Sequence, residues 1–492
     1  DSSVLSRPSA RHRLPTAQST RIPGPSQPGA RPAPNDAPSE IAMARFLTPP
    51  TVILCAAAAA VLAPCAAARA EKLPAPKLIE LARTRPNSPE LLSAIRDTLD
   101  AERVKRGTAY IGEGADFLWA VESDSAPQLF VDDQPGPSLA TVGSSNVWVA
   151  TGKLATGKNH TFHYLINGRQ LGGDLNVPAY GPDSYEKPGV PKGTLSPRIT
   201  HKSKIYDRME SEYWIYVPAQ YDPKTPAAVM VWNDGGQHVN RYGGSRTQIV
   251  VDNLIHQKKI PVMIQVFINP GDISKATGTP TYEYVSNFSR MTGRTLKDSM
   301  RSTEYDTVSD RYARFLVEEI LAEVGKKYNL RQDGYSRAIA GESSGGIAAF
   351  NAAWQKPEWF SRVLSRVGTY TSIQWIPGEL DGGNIFPFAV RKTPRKNFRV
   401  WMSDGSEDLE NRHGSWPLQN IQLANSLKMA EYDFHFSYSG GSHNGAHGNA
   451  EAPQALTWLW RDYDPAKTEQ IYEQEEAEKS KPYFRVKIYN RE

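Results

Sequence analysis

The sequence predicts an α/β protein in which a mainly parallel sheet, covered by helices on both faces, follows a small β-sandwich. Three observations carry this. From about residue 201 onward, short apolar strand signals alternate with amphipathic helical patterns, which is the signature of βα units and a parallel sheet. Between 107 and 180 the period changes to closely spaced strands. Between these regions lies a stretch rich in proline and glycine that reads as a linker, residues 181–204.

The elements follow in chain order. Residues 1–42 are rich in Pro, Ser and Arg and lack hydrophobic periodicity, so they are expected to be a disordered extension or an over-extended gene model. Residues 43–70 start Met43-Ala44-Arg45, continue in an apolar run from Val52 to Leu62, and end Ala68-Arg69-Ala70. A basic start, a short hydrophobic core and an A-x-A site predict a secretory signal peptide, and the run is too short for a comfortable membrane span. Residues 71–106 carry two helical patterns separated by Pro86 and Pro89. Strands are expected at 117–121, 128–131, 146–149 and 160–166, the last followed by the hairpin signal Asn167-Gly168. In the region 205–463, strands are expected at 213–217, 228–232, 263–268, 337–340, 363–367, 398–402 and 432–438. The clearest helix is 307–328, where Tyr312, Phe315, Leu316, Ile320 and Val324 recur at helical spacing. The charged tail 464–492 reads as helical and then as an edge strand over 483–489.

Charge excludes one class of partner. The net charge of +4 is supplied by residues 1–70, which hold seven arginines, no lysine and three acids; the remainder is balanced. No nucleic-acid footprint is present. Both cysteines, Cys55 and Cys65, fall inside the expected signal peptide. A chain beginning at Glu71 would have no disulfide and no thiol chemistry.

The chemistry concentrates at Gly341-Glu342-Ser343-Ser344-Gly345, a G-x-S-x-G pentapeptide with a strand signal before it and a helix signal after it. Such a turn lifts a serine hydroxyl above a sheet, with the N–H groups of a helix N-terminus nearby. A serine hydroxyl is a poor nucleophile at neutral pH and needs a histidine base and an orienting acid. Two later loops supply candidates, both at the carboxyl ends of expected strands. The first holds Asp404, Glu407 and Asp408, of which Asp408 is preferred as the acid and Asp404 comes next. The second, Gly440-Gly441-Ser442-His443-Asn444-Gly445-Ala446-His447, holds His443 as the base and His447 as the alternative. A metal site on His443 and His447 is disfavoured by Gly445 and Gly448 and by the lack of a glutamate between the histidines. His413 and His435 read as wall and packing residues. For the oxyanion, the N–H of Ser344 is one donor. The other is expected from Asn233-Asp234-Gly235-Gly236-Gln237, with Gly236 first and Gln237 second. Trp214, Trp232, Trp375, Trp401 and Trp416 are candidates for substrate stacking, although large aromatics are more often core. Arg241, Arg246 and Arg301 are candidates to meet an anionic substrate, although they read first as helix-surface charges.

The Gly-Glu-Ser-Ser-Gly-Gly turn, the Asn-Asp-Gly-Gly turn, the Gly405-x-x-Asp408 loop and Gly-Gly-Ser-His together resemble the putative serine esterase family, over about 205–462. That family includes enterochelin, feruloyl and acetyl xylan esterases, esterase D-like enzymes and mycolyltransferases. The resemblance implies an α/β-hydrolase fold preceded by an immunoglobulin-like domain. It also implies Ser343 as nucleophile, His443 as base and Asp408 as orienting acid. The chain departs from the family where Asn233-Asp234 stands in place of the histidine that many members carry before the glycines.

These readings converge on a secreted or periplasmic serine ester hydrolase. It would need no cofactor and no metal, and would act on a small-molecule or glycan ester. Two alternatives are an acyltransferase using the same residues and a non-catalytic carbohydrate- or surface-binding protein on a hydrolase scaffold.

Overall fold

The computed structural model describes residues 73–112, 114–277 and 296–487. The expected signal peptide, both cysteines and the extension 1–42 lie outside them. Three helices open the described chain: Ala75–Thr84, Pro89–Leu99 and Ala101–Lys105. Ser88 caps the second by accepting from Leu91 N–H at 3.1 Å. Eight strands follow: β1 (Thr108–Ile111), β2 (Asp116–Glu122), β3 (Gln128–Val131), β4 (Gln134–Pro135), β5 (Ala140–Thr141), β6 (Val147–Lys153), β7 (Lys158–Ile166) and β8 (Arg169–Ala179). They form two antiparallel four-stranded sheets, β1-β2-β6-β5 and β4-β3-β7-β8. Phe117, Trp119, Ala150, Phe162, Tyr164 and Val177 fill the space between the sheets. On β2 the alternate residues Leu118 and Ala120 face the other way, into a second cluster with Leu78, Leu91 and Ile95 of the helices. This explains the continuous apolar run of β2: a strand alternates only where one face is wet, and here the helices cover the outer face.

A third, nine-stranded sheet runs β10-β11-β13-β12-β14-β15-β16-β19, with β9 beside β11. Its strands are β9 (Thr194–Leu195), β10 (Ile199–Lys202), β11 (Glu210–Val217), β12 (Ala228–Asn233), β13 (Met263–Ile268), β14 (Arg337–Glu342), β15 (Arg362–Arg366), β16 (Arg399–Glu407) and β19 (Phe434–Ser442). The small hairpin strands β17 (Glu410–Asn411) and β18 (Gly414–Ser415) stand apart. From β13 to β19 all pairings are parallel; β9, β10 and β11 add an antiparallel edge. The expected mainly parallel sheet is therefore present, and two of its edge strands come from the proline-rich segment read as a linker. That segment lacked a strand signal because β9 and β10 are only two and four residues long.

Period-2 alternation divides the parallel strands between two cores. Val229, Val231, Ile339, Val363 and Val400 pack with the helices 311–325 and 344–355. Ala228, Met230, Trp232, Ala338, Leu364 and Trp401 face the helices 247–256 and 452–459. Burial on both faces is why these strands read as unbroken apolar runs.

Two expectations differ from what is seen. The helix expected over 307–328 occupies 311–325 and carries a π-helical stretch, Phe315–Leu321. Over the described residues 464–487 the tail is irregular apart from one turn, Glu476–Lys479, and no strand forms at 483–487. The tail is held by side chains instead. Tyr472 is buried with its hydroxyl 2.8 Å from Ser361 Oγ. The backbone of Phe484 bonds the side-chain amide of Asn425 at 2.8 and 3.1 Å, which takes the place of a ladder.

Because Ile95 is buried between the opening helices and β2, Ile95→Ala should cost about 2–5 kcal/mol of stability. Thermal unfolding would read this as a clear drop in midpoint. An unchanged midpoint would show that the helices are not part of the sandwich core.

Candidate active site

β14 is an inner strand, between β12 and β15, and it runs directly into the G-x-S-x-G turn. Ser343 has φ 59° and ψ −124°, a backbone region that costs a non-glycine residue about 1–3 kcal/mol. The turn is held closed by Ser343 N–H donating to Arg366 O at 2.9 Å. Gly346 and Thr369 N–H groups donate back to Ser343 O at 2.9 and 3.1 Å. Gly341 is required by close approach: a Cβ there would lie 2.3 Å from Gly345 O. Val367, across the turn, also has positive φ (42°), an unusual state for a β-branched residue. Its N–H is fixed on Ser403 O at 2.7 Å.

Above this turn the expected groups meet. Ser343 Oγ lies 2.8 Å from His443 Nε2, and His443 Nδ1 lies 2.5 Å from Asp408 Oδ1. The three residues follow β14, β19 and β16, so all come from carboxyl ends of parallel strands. Asp408 is fully buried at its side chain and His443 is 20% exposed. Burial raises the Asp408 carboxyl, but its hydrogen bonds to His443 and Asp404 outweigh this and hold it below the ordinary carboxylate range.

The other acids and histidines separate from the site by their contacts. Glu407 is exposed. Asp404 is completely buried and lies against Asp408, not His443. Gly405 N–H and Asn420 lie near its carboxyl without making well-formed hydrogen bonds, and Asp408 Oδ2 has no other donor among the described residues. Asn420, beside it, spends its amide hydrogens on Gly368 O and Trp416 O. Burial first, and then the Asp408 charge, push the Asp404 carboxyl well above its usual range. A protonated Asp404 donating to Asp408 Oδ2 gives that oxygen a donor and uses one of the two Asp404 oxygens. His447 hydrogen-bonds Ser437 and Ser439 at 3.0 and 3.2 Å; burial lowers its imidazole to about 4. His413 sits on the β17–β18 hairpin, and His435 stacks on Trp401 at 3.8 Å.

At the oxyanion turn the candidate N–H groups are held by neighbours. Ser344 N–H opens the helix Ser344–Gln355, where the first N–H groups have no carbonyl partner within the helix. Gly236 N–H donates to Asn269 Oδ1 at 2.8 Å. Gln237 N–H turns back to Asp234 O at 3.1 Å. Asp234, at φ 52°, is held by Arg301 in a two-pronged ion pair at 2.8 and 2.6 Å. Arg301 is thus a support of this turn and not a surface charge. Arg241 likewise pairs with Glu186 and Asp252, and Arg246 lies over the Tyr180 ring at 3.9 Å.

Sequence reasoning missed Thr369 and Asn269. Thr369 Oγ1 is 3.2 Å from Ser343 Oγ and accepts from Trp416 Nε1 at 3.2 Å. Trp416 is buried and meets the His443 ring edge-on at 5.7 Å, so it is a wall of the base and not an open stacking platform. Trp232 and Trp401 are buried in the core, and Trp375 is exposed. No motif marks Thr369 or Asn269; each reaches the site through a loop after a strand. A cavity of about 470 Å³ opens over Ser343 and His443, lined by Asp234, Asn269, Arg301, Glu342, Val367 and Asn444 among others.

The family model described as Putative esterase matches residues 208–452. A search of curated sequences finds no match. Among solved structures, the enterobactin esterase FES of Shigella flexneri is similar at 16% identity, with a TM-score of 0.44 over 73% of this chain and 97% of that one. The ferric enterobactin esterase of Salmonella typhimurium gives 14%, 0.45, and 73% and 97%. A CE1 ferulic acid esterase from Anaeromyces mucronatus gives 15%, 0.41, and 58% and 97%. The family match carries the assignment.

The buried Asp404 has a sign that can be tested. An unfolded aspartate loses its proton near pH 3.9, whereas the folded group keeps it to higher pH. The folded state then binds more protons, so this group lowers stability as pH rises above about 4. Asp404→Asn cannot ionise. Its melting temperature should gain on the parent chain from pH 4 to pH 8; a constant difference would contradict a protonated Asp404.

Proposed function

Because this chain belongs to the putative esterase family and is a carboxylic ester hydrolase, we propose that it works through a Ser343–His443–Asp408 triad and an acyl-enzyme, as a secreted esterase of the enterochelin or feruloyl type. The supporting observation is the continuous line of hydrogen bonds from Ser343 Oγ through the His443 ring to Asp408, at 2.8 and 2.5 Å.

In this reading His443 Nε2 takes the Ser343 proton as Oγ attacks the ester carbonyl. Asp408 holds the Nδ1–H tautomer and compensates the imidazolium. Ser344 N–H stabilises the oxyanion, joined by Gly236 N–H once the carbonyl oxygen replaces Asn269 Oδ1 as its acceptor. The tetrahedral intermediate collapses, His443 gives its proton to the leaving alcohol, and a water activated by the same base releases the acid. Asn269, Glu342 and Asn444 on the cavity wall offer hydrogen-bonding groups beside the reacting carbonyl. Feruloylated sugars, acetylated sugars and catecholate siderophore esters are the substrates to compare.

Ser343→Ala should abolish turnover of p-nitrophenyl acetate and labelling by a fluorophosphonate. Asp408→Asn should lower kcat by about 10³–10⁴-fold. Undiminished turnover by a folded Ser343→Ala protein would overturn the triad. Export is proposed from the signal pattern at 43–70. Amino-terminal sequencing of the exported protein should start at Glu71, and a chain retained with Met43 would oppose it.

A further inference from the structure

The end of β19 and the turn that carries His443 are rich in glycine. Gly440, Gly441 and Gly445 surround Ser442-His443-Asn444, and glycine loses more conformational freedom on ordering than any other residue. The loop also leaves the last strand of the sheet, β19, which pairs with β16 on one side only. Along β16 the pairing register slips between Gly405 and Glu407, just where Ser442 lies opposite. An edge strand at an irregular end is a poor foundation for a base that must stay within hydrogen-bond reach of Ser343.

The β-sandwich supplies what the sheet lacks. Asn176, on β8, accepts Ser442 N–H through Oδ1 at 3.0 Å and donates from Nδ2 to Ser442 Oγ at 2.8 Å. A side-chain amide used at both ends holds one residue much as a neighbouring strand would. Asn176 is itself fixed, its own N–H donating to Asp174 Oδ1 at 2.8 Å. The glycines before Ser442 fit this approach. A Cβ on Gly440 would lie 3.1 Å from the Thr161 methyl, and one on Gly441 would lie 3.0 Å from Asn159 Nδ2. Both of those residues belong to β7 of the sandwich. The Gly-Gly of the motif thus serves the contact between domains as much as the turn itself.

We infer that the β-sandwich is part of the catalytic machinery, with Asn176 acting as a positioning residue that fixes His443 through Ser442. This rests on His443 being the base. The predicted role is in the chemical step and not in holding substrate, since Asn176 touches neither Ser343 nor His443. Small displacements of a base are costly, about 10²-fold for an error near 1 Å.

The experiment is steady-state kinetics on the full chain, at a temperature well below melting, with p-nitrophenyl acetate. Asn176→Ala should lower kcat by about tenfold or more with KM within twofold, and should slow fluorophosphonate labelling in parallel. Asn176→Asp keeps an acceptor for Ser442 N–H, and the Ser442 hydroxyl can turn to donate to it. It should recover most of the lost kcat. Ser442→Ala combined with Asn176→Ala should lose less than the product of the two single effects. An Asn176→Ala protein with a lower melting temperature but unchanged kcat would assign Asn176 to stability alone and overturn the proposal. So would an Asn176→Asp protein as slow as the alanine variant. The Ser343→Ala result decides the triad separately: if that variant is dead and Asn176→Ala is unimpaired, the positioning role fails while the esterase reading stands.

Discussion

The backbone of Ser343 is the constraint on which the site depends. A non-glycine residue at φ 59° persists only where its surroundings over-determine it. Here the N–H is tied to β15 through Arg366 O, and the carbonyl accepts three N–H groups, from Gly346, Ile347 and Thr369. Gly341 lets strand and helix pass within contact of each other, and Gly345 leaves room for Asn233 and Asp234 of the neighbouring turn. The strain is set against two buried cores, one on each face of the sheet, which fix β14 and the helix after it. The result is a hydroxyl that faces the cavity while its own backbone is fully committed.

Around the serine, charge is handled by pairing buried groups with neighbours that fix their state. Asp408 is anionic because the His443 ring donates to it, and Asp404 next to it is kept neutral by burial and by that same anion. Two carboxyls side by side cannot both ionise cheaply away from water, so one becomes a donor to the other. The same logic appears at the oxyanion turn. There Asp234 faces the cavity but is neutralised by the two-pronged Arg301, leaving the field at the turn to backbone N–H groups.

The two domains divide the labour unevenly. The α/β domain provides every group proposed to react, and the sandwich closes the open edge of its sheet where the base loop departs. The opening helices cover the far side of the sandwich, so that β2 is buried on both faces.

The sequence by itself determined the architecture and the identity of the central groups, because both are written in local signals. Alternating apolar runs and helical periods marked seven strands of the α/β sheet. G-x-S-x-G marked Ser343, and chain order together with glycine-rich turns pointed to His443 and Asp408. The tertiary structure decided what depends on a neighbour distant in sequence. Asp404 and Asp408 carry the same side chain four residues apart, and only burial and contact separate the neutral one from the anion. Gly236 is marked as a donor by its turn, but its partner Asn269 lies thirty-three residues later. The linker and the tail misled for one reason: short strands and lone aromatic anchors gain their order from the surface they meet and leave no periodic trace of it. Asn176 and Ser442 are 266 residues apart, and no local pattern in either could have announced the other.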